Sequence, residues 1–160
     1  MNNKKEIIKF RLDKKKYFEE LAVLCLEKPD EKSLASLDLT EKIRNEILNK
    51  EEFLGKKFAI DFAEKRSARF KKYIGRLDLA IGTSIYIWTE RSNSCGTYQV
   101  SSLHKINFDF PADLNKEGIF VLLASDFSNR LIFDFSRRAD SSEYDLELEA
   151  IGPDWSKINY

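Results

Sequence analysis

The sequence predicts an α+β domain. Helices in its first half pack on one face of a mostly antiparallel sheet of roughly four to six strands, formed by residues 77–151. Three observations carry this expectation. Up to Gly75, apolar residues recur at spacings of three and four, the period of a helix face. From Leu77 onward, β-branched and aromatic residues gather in short runs broken by turn-forming clusters. Finally, Glu143-Tyr144-Asp145-Leu146-Glu147-Leu148-Glu149-Ala150-Ile151 alternates strictly. As a strand it places Tyr144, Leu146, Leu148 and Ala150 on one side, and Glu143, Asp145, Glu147 and Glu149 on the other. Carboxylates two residues apart then lie about 7 Å from each other. Such a face must be solvated, paired with cations, or offered to a basic partner.

Taken in order, Ile8, Phe10 and Leu12 alternate, as in a short strand or the leading end of a helix. Asp13 offers an N-cap for a helix from Lys14 to about Glu27, with Phe18, Leu21, Ala22, Cys25 and Leu26 inward. Pro29-Asp30 ends it. Asp38 and Glu41 have the spacing of a capping box. Residues 38–74 read as two helices or one interrupted helix, with Gly55 as a pause and Gly75 as the C-cap. Residues 79–89 read as the first strand of the sheet, and Tyr98 to Phe108 as a bent second one. Ile119 to Ala124 is apolar throughout, as expected of a strand covered on both faces. Leu131, Phe133 and Phe135 alternate with more polar neighbours, and the acidic strand follows. Its helical reading, with Tyr144, Leu148 and Ile151 at i, i+4 and i+7, leaves Leu146 off the stripe, so a strand is preferred.

The 160 residues suit a single domain with a helical half (1–76), a sheet half (77–152) and a tail (153–160). No apolar run has membrane-spanning length, and the charged start lacks a signal-type stretch, so a cytoplasmic protein is expected. Cys25 and Cys95 then read as reduced thiols. Charge is uneven. Residues 1–76 hold 20 Lys/Arg against 14 Asp/Glu, whereas residues 107–160 hold 5 against 11. A basic front and an acidic rear can dock on one another or serve one partner each.

Signals of catalysis are poor, and no cofactor is expected. No Gly-rich phosphate loop is present. His104, the single histidine, reads as a structural or surface residue, although pairing with Cys95 or Ser102 is conceivable. Asp145, Glu147 and Glu149 present oxygens to a hard cation, as in a metal-dependent hydrolase, but one strand face offers too few converging ligands. Lys65, Arg66, Arg69, Lys72 and Arg76 form an acid-free run. On one helix, Lys65, Arg69 and Lys72 would share a face able to meet phosphates, which makes a nucleic-acid-binding module the alternative. A plain solvated face is the simpler reading.

Ile119–Phe135, with its Phe-rich hairpin ending in Leu131-Ile132-Phe133-Asp134-Phe135, and the acidic strand after it resemble small bacterial immunity proteins. These neutralise polymorphic toxins, including the contact-dependent growth inhibition type. The resemblance covers the last third of the chain. It implies a non-enzymatic inhibitor of a cognate basic toxin domain, frequently a nuclease. The acidic set would then be Asp126, Asp134, Asp140, Glu143, Asp145, Glu147, Glu149 and Asp154, with Tyr144 and Trp155 as anchors.

Overall fold

The computed structural model of the chain describes residues 2–49, 55–136 and 145–160. Helix α1 runs from Asn2 to Leu24 with no Gly or Pro to interrupt it. Its core stripe is Tyr17, Leu21 and Leu24, all fully buried, at i, i+4 and i+7. The expected stripe was rotated by one residue, since Ala22 and Leu26 are exposed. Asp13 lies inside the helix rather than capping it, and Ile8, Phe10 and Leu12 belong to its outer half. That half runs past the core: Ile7, Ile8, Phe10 and Leu12 are 45–54% exposed.

Helix α2 spans Leu37–Leu48 and is capped by Ser36, whose hydroxyl accepts from the Leu39 amide at 3.1 Å. The cap therefore precedes the expected Asp38. The next element overturns the helical reading of residues 38–74, because Gly55–Asp61 is strand β1, paired antiparallel with the acidic strand. Phe58 and Phe62 have helical spacing, but Phe62 already sits in the 3-10 turn Phe62–Arg66. Helix α3, Ala68–Ile81, buries Phe70, Tyr73, Ile74 and Leu77. It ends at Gly82 in the left-handed region (φ 56°), so Gly75 is mid-helix and not the C-cap.

The remaining strands are β2 (Ile85–Trp88), β3 (Tyr98–Val100), β4 (Ile119–Ala124), β5 (Arg130–Asp134) and β6 (Asp145–Ile151). A short helix α4, Ser92–Cys95, joins β2 to β3. The expected strand over 98–108 stops at Val100, where the chain turns into a 3-10 segment at Leu103–Lys105. All six strands form one antiparallel sheet in the order β1-β6-β5-β4-β2-β3. The α+β class stands, with the sheet extended to residue 55 by β1.

One face of the sheet, including Ile87, Leu122, Phe133 and Leu148, packs under α1 and α3. The other face does not lie bare throughout. Ile43 of α2, with Leu39 and Ile47, packs on Tyr86, Trp88, Val121 and Leu123. Helices thus cover both faces rather than one, because β2 and β4 are apolar on both sides. The tail is closed by Trp155, which is fully buried and donates its indole N–H to the Leu77 carbonyl at 2.9 Å. Gly152 makes that closure possible. Its φ is 122°, and a Cβ there would stand 2.4 Å from the Ser128 carbonyl oxygen.

The two halves of α1 are expected to respond differently to change. Removing residues 1–10 should shift the urea midpoint little, since residues 3–10 are all exposed. Leu21→Ala should cost about 2–5 kcal/mol. A deletion that unfolds the domain would give the outer half a structural role.

Candidate functional site

Strand β6 lies inside the sheet, flanked by β1 and β5. Leu146, Leu148 and Ala150 are buried on the core side, and the carboxylates alternate onto the other side, as the sequence predicts. Cross-strand register then assembles a patch. Glu147 stands opposite Ala59 and Asp134, Glu149 opposite Lys57 and Ile132, and Asp145 opposite Asp61. Asp61, Asp134, Asp145, Glu147 and Glu149 therefore share one half-face. Asp61 escaped the sequence reading because β1 did. Two directly opposed carboxylates, Asp61 and Asp145, repel, so this corner favours cations.

Among the described residues, Lys57 and Arg130 belong to the half-face. Lys57 Nζ lies 3.2 Å from Glu147 Oε1, with the lysine side chain 56% exposed and the glutamate 25%. Arg130, buried, donates to the Glu46 carbonyl and, at 2.9 Å, to that of Asn49. Burial lowers the Arg130 pKa, and the nearby Glu149 and Glu46 carboxylates oppose that. It thus ties the C-terminal end of α2 to the sheet, where helix carbonyls lack partners. Asp134 accepts from the Ser136 amide at 2.9 Å and hydroxyl at 2.6 Å, which fixes the end of β5.

Other predicted residues go elsewhere. Asp126 lies in the β4–β5 turn, where hydrogen bonds from the Ser128 hydroxyl and amide hold its carboxyl below the usual range. Asp154 accepts from Asn129 Nδ2 at 2.9 Å. Both stand at the Arg130–Ile151 end of the strands, away from Asp61 and Asp145. Trp155, expected to be an interface anchor, is instead a core residue, because the Asn129 side chain accepts from its amide at 3.0 Å and turns the ring inward. Asp140, Glu143 and Tyr144 lie outside the described residues.

The basic run does not form one phosphate-facing helix surface. Ser67 separates Lys65 and Arg66 from α3. Lys65 is only 2% exposed, with its ammonium 3.7 Å from the centre of the Phe62 ring. Arg66 Nε lies 2.5 Å from Asp109. Arg69 donates to the main-chain oxygen of Tyr160 at 3.2 Å and Arg76 to that of Asn159 at 2.6 Å. These arginines clamp the tail, and Lys72 is left exposed beside them.

His104 Nε2 lies 3.1 Å from Asp78 Oδ2, whereas Cys95 contacts Ser94, so the conceivable thiol–imidazole pair is not assembled. Both cysteines are free, and burial pushes the Cys25 thiol up to about 12. Among the described residues, no three His, Cys, Asp or Glu side chains converge as a metal site. Nor is any helix there long and apolar enough to cross a membrane.

Sequence reasoning also missed a buried polar cluster under α1. Glu20 is 5% exposed, accepts from Asn115 Nδ2 at 3.1 Å and faces Arg91 Nε at 3.6 Å. Burial raises its pKa, against the hydrogen bond from Asn115 and the charge of Arg91. The folded state therefore binds this proton more tightly than the unfolded chain, and stability falls as pH rises through the Glu20 transition. Glu20→Gln should raise the urea midpoint relative to the parent at pH 7.5. The gain should vanish near pH 4, about where an unperturbed Glu protonates. A variant less stable at pH 7.5 would mean that the Arg91 ion pair outweighs desolvation.

Compared with family models, curated proteins and solved structures, the chain matches none.

Proposed function

We propose that this chain is a binding protein whose acidic half-face receives a basic protein, in the manner of an immunity protein that neutralises a cognate toxin. The observation that carries the reading is the division of one sheet face. Its β2–β4 half is apolar and covered by α2, and its β1–β6–β5 half gathers five carboxylates from three strands. Fixed on a sheet, these groups meet Lys and Arg side chains without first having to be ordered. A nuclease presents such cations to nucleic acid, and a protein holding them would block that use. Charge complementarity also speeds encounter and selects the partner.

Size adds a condition. Three strands about 4.8 Å apart and seven residues long cover only about 10 by 20 Å. A stable interface needs about 800 Å² per partner. The partner must therefore also contact flanking surface, such as the exposed side of α2 or the turn that carries Asp126 and Asp154.

Charge reversal tests the reading, and the structure selects the positions. Glu149 acts on the buried Arg130, so a lysine there would damage the fold. Asp61→Lys, Asp145→Lys and Glu147→Lys together avoid it. In a pull-down from the producing bacterium, the parent chain should retain a stoichiometric basic protein at moderate salt. The triple variant, folded by circular dichroism, should bind that protein at least about tenfold more weakly. A folded triple variant with parental affinity would remove this half-face from the interface. Recovery of nucleic acid with no protein would overturn the inhibitor reading.

A further inference from the structure

The two edges of the sheet end differently. Beyond β3 the edge is covered: Leu34 bridges Tyr98, and the Ala35 amide donates to the Thr97 carbonyl at 2.8 Å. Beyond β1, no segment pairs with the edge among the described residues. An open edge offers a row of main-chain donors and acceptors to another strand. We propose that β1 pairs antiparallel with β1 of a second copy of this chain, about a twofold axis at Ala59.

The side chains of β1 select both the occupant and the register. A twofold axis normal to the sheet keeps each face continuous, so side chains that point to the same face stand opposite one another. With Ala59 on the axis, Lys57 faces Asp61 of the second copy, and Asp61 faces its Lys57. On the core side Phe58 faces Ile60 of the second copy. Both charged groups are accessible. The Lys57 side chain is 56% exposed, and Asp61 is exposed and does not cap the 3-10 turn that follows it. Directly opposed side chains lie about 4.5–5.5 Å apart at Cβ, close enough for two cross-strand ion pairs. Lys57 of the second copy also enters the corner where Asp61 and Asp145 stand opposite each other. Moving the axis to Phe58 or Ile60 loses both pairs. Moving it to Lys57 or Asp61 sets like charges face to face. Ala59, exposed and small, does not hold the strands apart.

The assembly is finite. The contact is isologous, and the β3 edge is already covered, so pairing closes as a dimer. An edge of seven residues falls short of the roughly 800 Å² per partner of a tight complex. Association is therefore weak, with a dissociation constant of roughly 10–100 µM. The dimer does not depend on what the acidic half-face receives.

Sedimentation velocity on the full chain tests the proposal. The parent should pass from monomer to dimer as its concentration rises through roughly 10–100 µM. Lys57→Asp sets like charges opposite each other, and so does Asp61→Lys. Each variant, folded by circular dichroism, should associate at least about tenfold more weakly. An equal mixture of the two restores both ion pairs and should dimerise as the parent does. Ala59→Arg gives its charge a partner in Glu147, directly opposite on β6, but sets two guanidinium groups together on the axis, and it should stay monomeric. A parent still monomeric at about 1 mM, a dimer that survives Ala59→Arg, or a mixture of the folded charge variants no more associated than either alone would overturn it.

Discussion

The rest of the structure depends on one constraint: an interior strand carries carboxylates on one of its two faces. Strand β6 is paired on both sides, so its backbone cannot rotate to carry Glu147 and Glu149 to an edge. Covering those groups with an apolar helix would leave ionised carboxylates unpaired in a dry interface. Helix α2 therefore packs only where β2 and β4 present Tyr86, Trp88, Val121 and Leu123. It ends at the border, and Arg130, on β5 between the two halves, takes the last helix carbonyls. Each half-face owes its limits to the other.

A second set of contacts secures the opposite layer. Asn129 accepts from the amides of Asp154 and Trp155, both at 3.0 Å, and so turns the chain after β6 inward. The indole then joins α3 at Leu77, and Tyr160 stacks on Phe58 with ring centres 5.0 Å apart. Arg69 and Arg76 close the segment over α3. Two of the five residues that look like a nucleic-acid surface in the sequence, Arg69 and Arg76, are thus bound to Tyr160 and Asn159. Arginine fits this task, since its planar group bonds a carbonyl and lies over a ring at once: that of Arg69 is 4.3 Å from the Tyr160 ring centre.

Legibility in the sequence followed the range of the interactions involved. The alternation of β6 and the apolar run of β4 are local patterns, and both were readable. Strand β1 was not, because its two lysines and its Phe58–Phe62 spacing suit a helix, and its strand state rests on pairing with residues about ninety positions away. The end of α3 was misread since Leu77–Ile81 is as apolar as a strand, and only the left-handed Gly82 reveals the stop. Lys65 and Glu20 were invisible as buried groups. Charged residues are assigned to the surface by default, and the Phe110 ring, Asn115 and Arg91 that help to accommodate them are distant in sequence. For the candidate site, the β6 carboxylates were legible and their neighbour Asp61 was not.

On the proposed reading, an external cation would compete with cations of the chain itself at the acidic half-face. The basic front of the chain supplies it with Lys57, on a flexible stem and more than half exposed. Ion pairs of that kind contribute about 0–1 kcal/mol, so displacing this lysine costs little. Glu147 is already three-quarters covered by the sheet and its neighbours, with its side chain 25% exposed, so part of its desolvation has occurred on folding. An arriving guanidinium would meet a Glu147 carboxylate that is already partly dehydrated. The Glu20 carboxylate differs: it is buried, Asn115 donates to its Oε1, and its Oε2, 3.6 Å from Arg91 Nε, has no hydrogen bond among the described residues. Burial thus separates the two sites: the ionised Glu20 carries a desolvation cost under α1, whereas Glu147 on β6 keeps a quarter of its side chain in contact with solvent.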